Sequence, residues 1–293
     1  MKGKKLIGVY GKADPLKHRY LDILSKFYGL TTKQICLPSQ VTEMIGIVML
    51  EHNYNKEILE EAIKNDIPIL LEIPFANSLD KEVELLEQLI ARQAKVLLPL
   101  IVTHHPKLTK LKSFMTATDV LGSLQSLHIT TIYHENYLRE EPYFNKQYSG
   151  KLIYQLLNFI DIFSWISPLN FRQVRVWVPE KNNKILLIHV KLEGAIGTGI
   201  STMYKISSVM APPVEVHIEA VFFNRILVWD STEQSSILNS ENGLAQIRWG
   251  MNIDELIAWR FVELLRGMIS LNEELKRILR SYKILIEILR KSE

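Results

Sequence analysis

Cysteine is almost absent from this chain. Among its 293 residues only Cys36 carries a thiol, which excludes an intrachain disulfide and a cysteine-rich zinc site and fits a reducing, cytoplasmic setting. Excess charge is equally scarce. The 35 Lys+Arg and 32 Asp+Glu leave a net charge of +3, and the basic residues are scattered, so nothing marks a nucleic-acid binder. Long apolar runs are missing too. The longest, 96–102, is interrupted by Pro99 and falls far short of the roughly 18 residues of a membrane span. The apolar stretch after residues 1–5 is shorter than the roughly 7–15 residues of a signal-peptide core, so no membrane partner is expected. There is no internal repeat and no low-complexity segment. With 47% hydrophobic and 23% charged residues, the composition is that of a globular protein able to bury a core.

What is present in the first third is an alternation of strand and helix signals. Residues 6–10 are a short β-rich run, followed by Gly11, Lys12, Ala13, Asp14 and Pro15. Asp14 suits a helix N-cap and Pro15 the first helical position. Leu16, Tyr20, Ile23, Leu24 and Phe27 then recur at helical spacing. Short apolar strands are expected at 34–37, 46–50, 67–71 and 95–102. Between them stand a helix over 56–64, with Ile58, Leu59, Ala62 and Ile63 inward, and a helix capped by Ser78 that carries Val83, Leu86 and Ile90. Continuous apolar strands separated by amphipathic helices predict a parallel sheet covered on both faces.

The character changes after about Pro106. Longer strands with polar alternate positions are expected at 124–133, 172–178, 184–192, 214–222 and 225–229, with one helix over 151–165. Two helices close the chain, over 254–266 and 273–290, the second with Leu275, Ile278, Tyr282, Leu285 and Leu289 at helical spacing. The fold class read from this pattern is α/β: a shortened Rossmann-like parallel-sheet domain, residues 1–118, followed by an α+β domain with a large, mostly antiparallel open sheet, residues 119–293. The C-terminal helices are free to pack back on the first domain.

The segment Glu72-Ile73-Pro74-Phe75-Ala76, after an apolar strand and before a capped helix, resembles the Glu-Lys-Pro motif of the glucose-fructose oxidoreductase, inositol dehydrogenase and rhizopine-catabolism (Gfo/Idh/MocA) family. Pro106, the turn at Leu121-Gly122, the Ser149-Gly150 entry to a helix with Asp161 and Trp165, and the ending from Asp254 through Phe261 fall in the family's order. The resemblance covers nearly the whole chain and implies a nicotinamide dinucleotide, NAD or NADP, on the first domain. It also implies a small-molecule ligand of sugar or polyol type in the cleft between domains. Gly11, Lys12 and Ala13 would then lie at the pyrophosphate turn, where helix N-terminal N–H groups favour anions, with Glu72 and Pro74 beside the cofactor.

Against the family pattern the functional positions depart one after another. Only Gly11 of the fingerprint glycines remains, and Leu16 stands where helix packs on strand. No acid follows the second strand to hold the adenosine ribose, and the stretch 38–45 is too short for a helix and strand, so a βα unit is missing. Oxidising a carbinol needs a base within hydrogen-bond reach. The family's lysine position is Ile73, its catalytic aspartate falls on Tyr154 and its histidine on Asn158. Tyr154 can donate a proton and Asn158 can hydrogen-bond a substrate oxygen, but the reading of both as helix residues lining a polar cleft is the favoured one.

His104 and His105 end a strand and point to opposite faces, so they do not share one metal ion. His104 remains a candidate to replace the lost acid or base. The aromatic and charged run 134–144 reads as a surface loop, Cys36 as a buried structural thiol within its strand, and the basic residues of the last helix as a solvated face. A sheet with helices on one side leaves its other face to be covered, and Ile185, Leu187 and Val216 are candidates for a homodimer surface. Two functions stay open: a ligand-binding homologue that has lost the catalytic set, and an NAD(P)-dependent or biliverdin-reductase-like reductase with a non-standard proton donor.

Overall fold

The computed structural model describes residues 5–13, 19–50, 54–100, 124–134, 150–166, 174–177, 187–193, 198–206, 214–222, 226–230, 235–240, 243–248 and 253–292. Two compact units emerge, one of residues 1–101 with 251–282 and the other of residues 102–250 with 283–293.

The first unit is built on a five-stranded parallel sheet in the order β2-β1-β3-β4-β5. Its strands are β1 (Leu6–Tyr10), β2 (Thr31–Gln34), β3 (Gly46–Met49), β4 (Ile69–Leu71) and β5 (Val96–Leu97). Strands β3, β4 and β5 are buried throughout, as expected of a sheet with both faces covered. One face carries Ile7, Val9, Val48, Leu50, Leu70 and Leu97. It is closed by Tyr20 and Leu24 of α1 (Arg19–Tyr28) and by Ile257, Ala258, Phe261, Val262 and Leu264 of α5 (Ile253–Leu265). The α5 helix comes so near β3 that a Cβ on Gly46 would lie 2.4 Å from Leu265 Cδ2 and 3.1 Å from Phe261 Cζ. By alternation Ile47 and Met49 face the other side, where right-handed crossovers put α2 (Lys56–Lys64) and α3 (Leu79–Ala91).

Local chemistry explains these helices. Asn55 Oδ1 accepts the N–H groups of Glu57 and Ile58 at 3.0 and 3.1 Å, and Ser78 Oγ accepts that of Lys81, so both N-termini are capped, the second by the residue expected. Asp14 and Pro15 lie outside the described residues. On α1 the inward positions are Tyr20 and Leu24, with Tyr28 following at the same spacing. Phe27, expected to face inward, lies about 60° round the helix from Leu24, in the last turn, and is 77% exposed. On α3 the buried line is Glu82, Leu85, Leu86 and Leu89, so Val83 and Ile90 fall to its flanks.

Strand β2 is shifted earlier than the sequence suggests, to 31–34, and this corrects the reading of Cys36. Ile35 still donates its N–H to Val9 and is buried, but its neighbour points the opposite way, beyond the ladder, and Cys36 is exposed. Between β2 and β3 there is no helix and strand. A single 3-10 turn, Pro38–Glu43, spans the gap, which agrees with the missing βα unit.

The second unit carries an eight-stranded sheet in the order β13-β12-β11-β10-β6-β9-β8-β7. Its strands are β6 (Leu124–His134), β7 (Val174–Trp177), β8 (Leu187–Glu193), β9 (Thr198–Ile206), β10 (Val214–Phe222), β11 (Ile226–Asp230), β12 (Ser235–Ser240) and β13 (Gly243–Arg248). Every pair is antiparallel except β6 with β9. The sequence reading identifies neither β9, β12 nor β13. Their Gly, Ser, Thr, Asn and Lys residues interrupt the apolar alternation that marks a half-buried strand. Helix α4 (Gly150–Ile166) packs on β9 and buries Leu156, Leu157, Phe159, Ile160, Asp161 and Ile162.

The last helix, α6 (Asn272–Ser292), buries Leu275, Ile278, Tyr282, Leu285 and Ile288 at helical spacing. In its first-unit portion the Tyr282 ring meets Phe75 with centroids 6.3 Å apart and planes tilted by 49°, an edge-biased aromatic contact. Among the described residues no helix is long and apolar enough to cross a membrane.

Candidate functional site

A doubly wound sheet binds ligands at the carboxyl ends of its strands, where the chain reverses direction across the sheet. Here the reversal falls between β1 and β3, the chain going out from β1 to β2 and returning to β3. Gly11 follows β1, Leu50 follows β3 and Glu72 follows β4. The N–H of Leu50 donates to Tyr10 and that of Glu72 to Met49, so the three strand ends form one edge. The expected cofactor residues therefore share the first unit's C-terminal edge.

Gly11 is buried with φ +97°, a conformation that a residue with a Cβ adopts only under strain. The glycine retained from the fingerprint is thus the one the turn requires. Lys12 and Ala13 are exposed beside it. Gln34, the last residue of β2, donates from its amide to the Gly11 carbonyl at 3.0 Å. It occupies the strand end at which dinucleotide folds keep the ribose-binding acid.

The turn that follows is tied within itself. Gln40 Oε1 accepts the N–H groups of Cys36 and Leu37 at 2.8 and 3.0 Å, and the Lys33 ammonium lies 2.8 Å from Glu43. The residues present fit a dinucleotide at the Gly11 turn and do not fit its adenosine end. Among the described residues 34–42 that end and follow β2 there is no acid to receive ribose hydroxyls, and the amide, backbone N–H and ammonium donors named here each have a partner in the chain.

At the end of β4 the Glu72 carboxylate accepts the hydroxyl hydrogen of Tyr20 at 2.5 Å. The Glu72 residue is partly exposed in area, yet its carboxyl is enclosed. Burial pushes it up from its ordinary 4.5 to about 7, with the negative charge of Asp254 adding to the rise. The hydrogen bonds from Tyr20 and from the Ile73 N–H oppose it. Tyr20 is itself driven well above the usual phenol range, first by burial and then by the Glu72 carboxylate. Ile73, at the family's lysine position, is half-buried and carries no titrating group, and Pro74 is buried after a cis peptide bond.

The next turn hangs on a carboxylate from α3. Glu82, fully buried, accepts the N–H groups of Phe75 and Ala76 at 2.8 and 3.3 Å. Tyr54 stands nearby in sequence order before α2, its N–H donating to the Phe75 carbonyl. Burial and the carboxylates of Glu60 and Glu84 raise its phenol.

The remaining candidates lie in the second unit or outside the described residues. Tyr154 and Asn158 are one turn apart on α4. The Tyr154 side chain lies outside the described residues, whereas Asn158 Oδ1 is enclosed and meets no hydrogen-bond partner among them. His104, His105 and the run 135–144 also lie outside. So does Ile185, along with the side chains of Leu187 and Val216. Among the described residues no group of three His, Cys, Asp or Glu side chains is arranged to hold a metal ion.

Sequence reasoning missed Tyr20, Gln34, Gln40 and Glu82. Tyr20 was read as an apolar face residue, which conceals its hydroxyl. Glu82 did leave a signal, since it falls on the apolar line of α3 with Leu85, Leu86 and Leu89, where a carboxylate needs donors. Gln34 and Gln40 left none, because their partners are backbone groups.

No protein-family model matches the sequence and no curated protein does. Solved structures do resemble it. A dehydrogenase from Clostridium difficile superposes with a TM-score of 0.75 at 14% identity, over 98% of this chain and 99% of that one. A Gfo/Idh/MocA family oxidoreductase from Vibrio cholerae gives 0.69 at 13% identity, over 98% and 99%. A biliverdin reductase from Synechocystis, solved with biliverdin and NADP+, gives 0.66 at 12%, over 97% and 98%. The parallel-sheet unit, the mixed eight-stranded sheet and these full-length superpositions together give the chain the fold of the Gfo/Idh/MocA oxidoreductases.

Proposed function

We propose that this chain is a divergent member of the Gfo/Idh/MocA family that has lost the lysine, aspartate and histidine used for proton transfer, and that it binds a small molecule without oxidising it. One observation carries the reading. In the signature segment the titrating position is the apolar Ile73, and the neighbouring Glu72 carboxyl is taken up by the Tyr20 hydroxyl. A carbinol proton therefore has no base at the motif's lysine position. Tyr154 and Asn158, at the positions matched to the aspartate and histidine, supply a phenol and an amide, neither of which is a base at neutral pH. The test is a panel of sugars, polyols and hydroxy acids assayed with NAD and with NADP. The expected result is no turnover with any of them, together with a raised thermal midpoint for the member that binds. Sustained reduction of either nucleotide refutes the reading.

A second reading, an active reductase, is favoured by the state of Glu72. Its carboxyl, pushed up to about 7, holds a proton near neutral pH and so is a non-standard proton donor. Under this reading NADH or NADPH is consumed in the presence of a reducible ligand such as a tetrapyrrole, and Glu72→Gln abolishes that consumption without weakening ligand binding. Assembly as a homodimer through the second unit's sheet belongs to both readings.

A further inference from the structure

We propose that the parallel-sheet unit recognises no adenosine, so that the ligand it takes is a mononucleotide-sized molecule or smaller. That such a ligand exists rests on the binding function proposed above; the exclusion of adenosine stands on its own observations. The first is topological. A dinucleotide-binding sheet in the order 3-2-1-4-5-6 carries two strands beyond β1 on one side of its reversal point, whereas the order 2-1-3-4-5 carries one there and is known to hold a mononucleotide, FMN, at its β1/β3 reversal. This chain has the second order, with β2 as the outermost strand and the six-residue turn Pro38–Glu43 where a further βα unit would stand.

The second observation is chemical and independent of the first. An adenosine ribose is held by a carboxylate at the end of β2, and a 2′-phosphate by free cationic or N–H donors near it. Gln34 is neutral, and one of its amide N–H groups donates to the Gly11 carbonyl at 3.0 Å. Gln40 closes the N–H groups of Cys36 and Leu37 at 2.8 and 3.0 Å. Lys33 is paired with Glu43 at 2.8 Å. No carboxylate follows β2 before Glu43, which is paired with Lys33, and the donors beside the strand end make bonds within the chain. The absent charge-assisted bonds alone account for about 10- to 100-fold in affinity. Lys12, exposed beside the Gly11 turn, keeps a positive charge suited to a 5′-phosphate, which a mononucleotide also carries.

The experiment uses the full chain. Calorimetry with 5′-AMP and with 2′,5′-ADP is expected to show no saturable binding up to about 10 mM, and NADH is expected to bind within about threefold of reduced nicotinamide mononucleotide. Saturation by either adenosine nucleotide below about 1 mM overturns the proposal, and so does NADH or NADPH binding more than about tenfold tighter than the mononucleotide. Failure of all five probes to bind upholds the exclusion of adenosine while removing nicotinamide from the candidate ligands. Turnover with a sugar or polyol would instead overturn the non-catalytic function and leave this proposal to the binding ratios.

Discussion

Replacing Glu72 by glutamine removes the charge from the end of β4 and keeps an oxygen able to accept the Tyr20 hydroxyl. In the folded chain the carboxyl is moved from its ordinary 4.5 to about 7, mainly by burial. The folded state therefore holds this proton more tightly than the unfolded state does, and stability must fall as pH rises. The contribution is intact below about pH 4.5, declines through the interval up to the folded value, and is lost above about pH 7. The full difference is about 3 kcal/mol in favour of the protonated folded form.

Most of that difference lies between about pH 5 and about pH 8, so the variant isolates it. Urea unfolding of wild type and Glu72→Gln is measured at both values. The two proteins should lie within about 1 kcal/mol of each other at the lower pH, and the variant should be about 2 to 3 kcal/mol the more stable at the higher one. Titration of other groups changes both proteins alike and cancels in the comparison. Parallel profiles across the interval would refute the reasoning, because they would mean that the enclosed carboxyl ionises in the folded chain as easily as in the unfolded one. A variant less stable at every pH would also refute it, by showing that the charge is a net stabiliser.

The neighbours of that pair give further tests. Tyr20→Phe removes the hydrogen bond that favours the Glu72 carboxylate; it should cost about 1–2 kcal/mol, more at about pH 8 than at about pH 5, in the same unfolding measurement. Glu82→Ala strands the buried N–H groups of Phe75 and Ala76 and should cost about 2–4 kcal/mol, with earlier amide exchange at those two residues. Gly46→Val drives a branched side chain into Leu265 and Phe261 and should destabilise by about 1–3 kcal/mol, read by the urea midpoint. Sedimentation across a wide concentration range should show a dimer, and a monomer at every concentration would overturn assembly through the second sheet.

The elements most legible in the sequence are those whose residues report burial directly. Helix α2 is read at its full length because Ile58, Leu59 and Ala62 form an unbroken apolar line behind the Asn55 cap. The parallel sheet is legible because β3 and β4 are apolar at every position. Phe27 misled because an aromatic side chain on an amphipathic helix counts toward the apolar face whichever way it points; the axis is set by Tyr20 and Leu24 packing against α5, a partner more than two hundred residues away. Strands β12 and β13 were invisible because a polar strand in an antiparallel sheet owes its conformation to neighbouring strands more than to its own propensity.

The candidate site was legible by position and illegible by chemistry. Ile73, Glu72 and Gly11 are singled out by their order along the chain; Gly11 stands at a turn with positive φ and Glu72 follows the end of β4. What their side chains do depends on Tyr20, Gln34 and Gln40, and each of those contacts joins residues that only the folded sheet brings together.

That distinction bears on how a retained motif residue is to be weighed. Glu72 and Gly11 are among the residues that match the family's pattern, and each makes a contribution to the fold that involves no ligand. Gly11 meets a φ of +97°, and any side chain there would strain the turn. Glu72 joins α1 to β4 through Tyr20 across 52 positions of sequence, so α1, which covers one face of the sheet, is fastened to the strand end that precedes Pro74. The lysine site and the ribose acid are among the positions that differ from the pattern, as Ile73 and Gln34. If catalysis had kept Glu72 and Gly11 in place, it should have kept the lysine site and the ribose acid as well. Under the non-catalytic function proposed above, Ile73 and Gln34 are positions at which the chain departs from the pattern while Gly11 and Glu72 still serve the sheet.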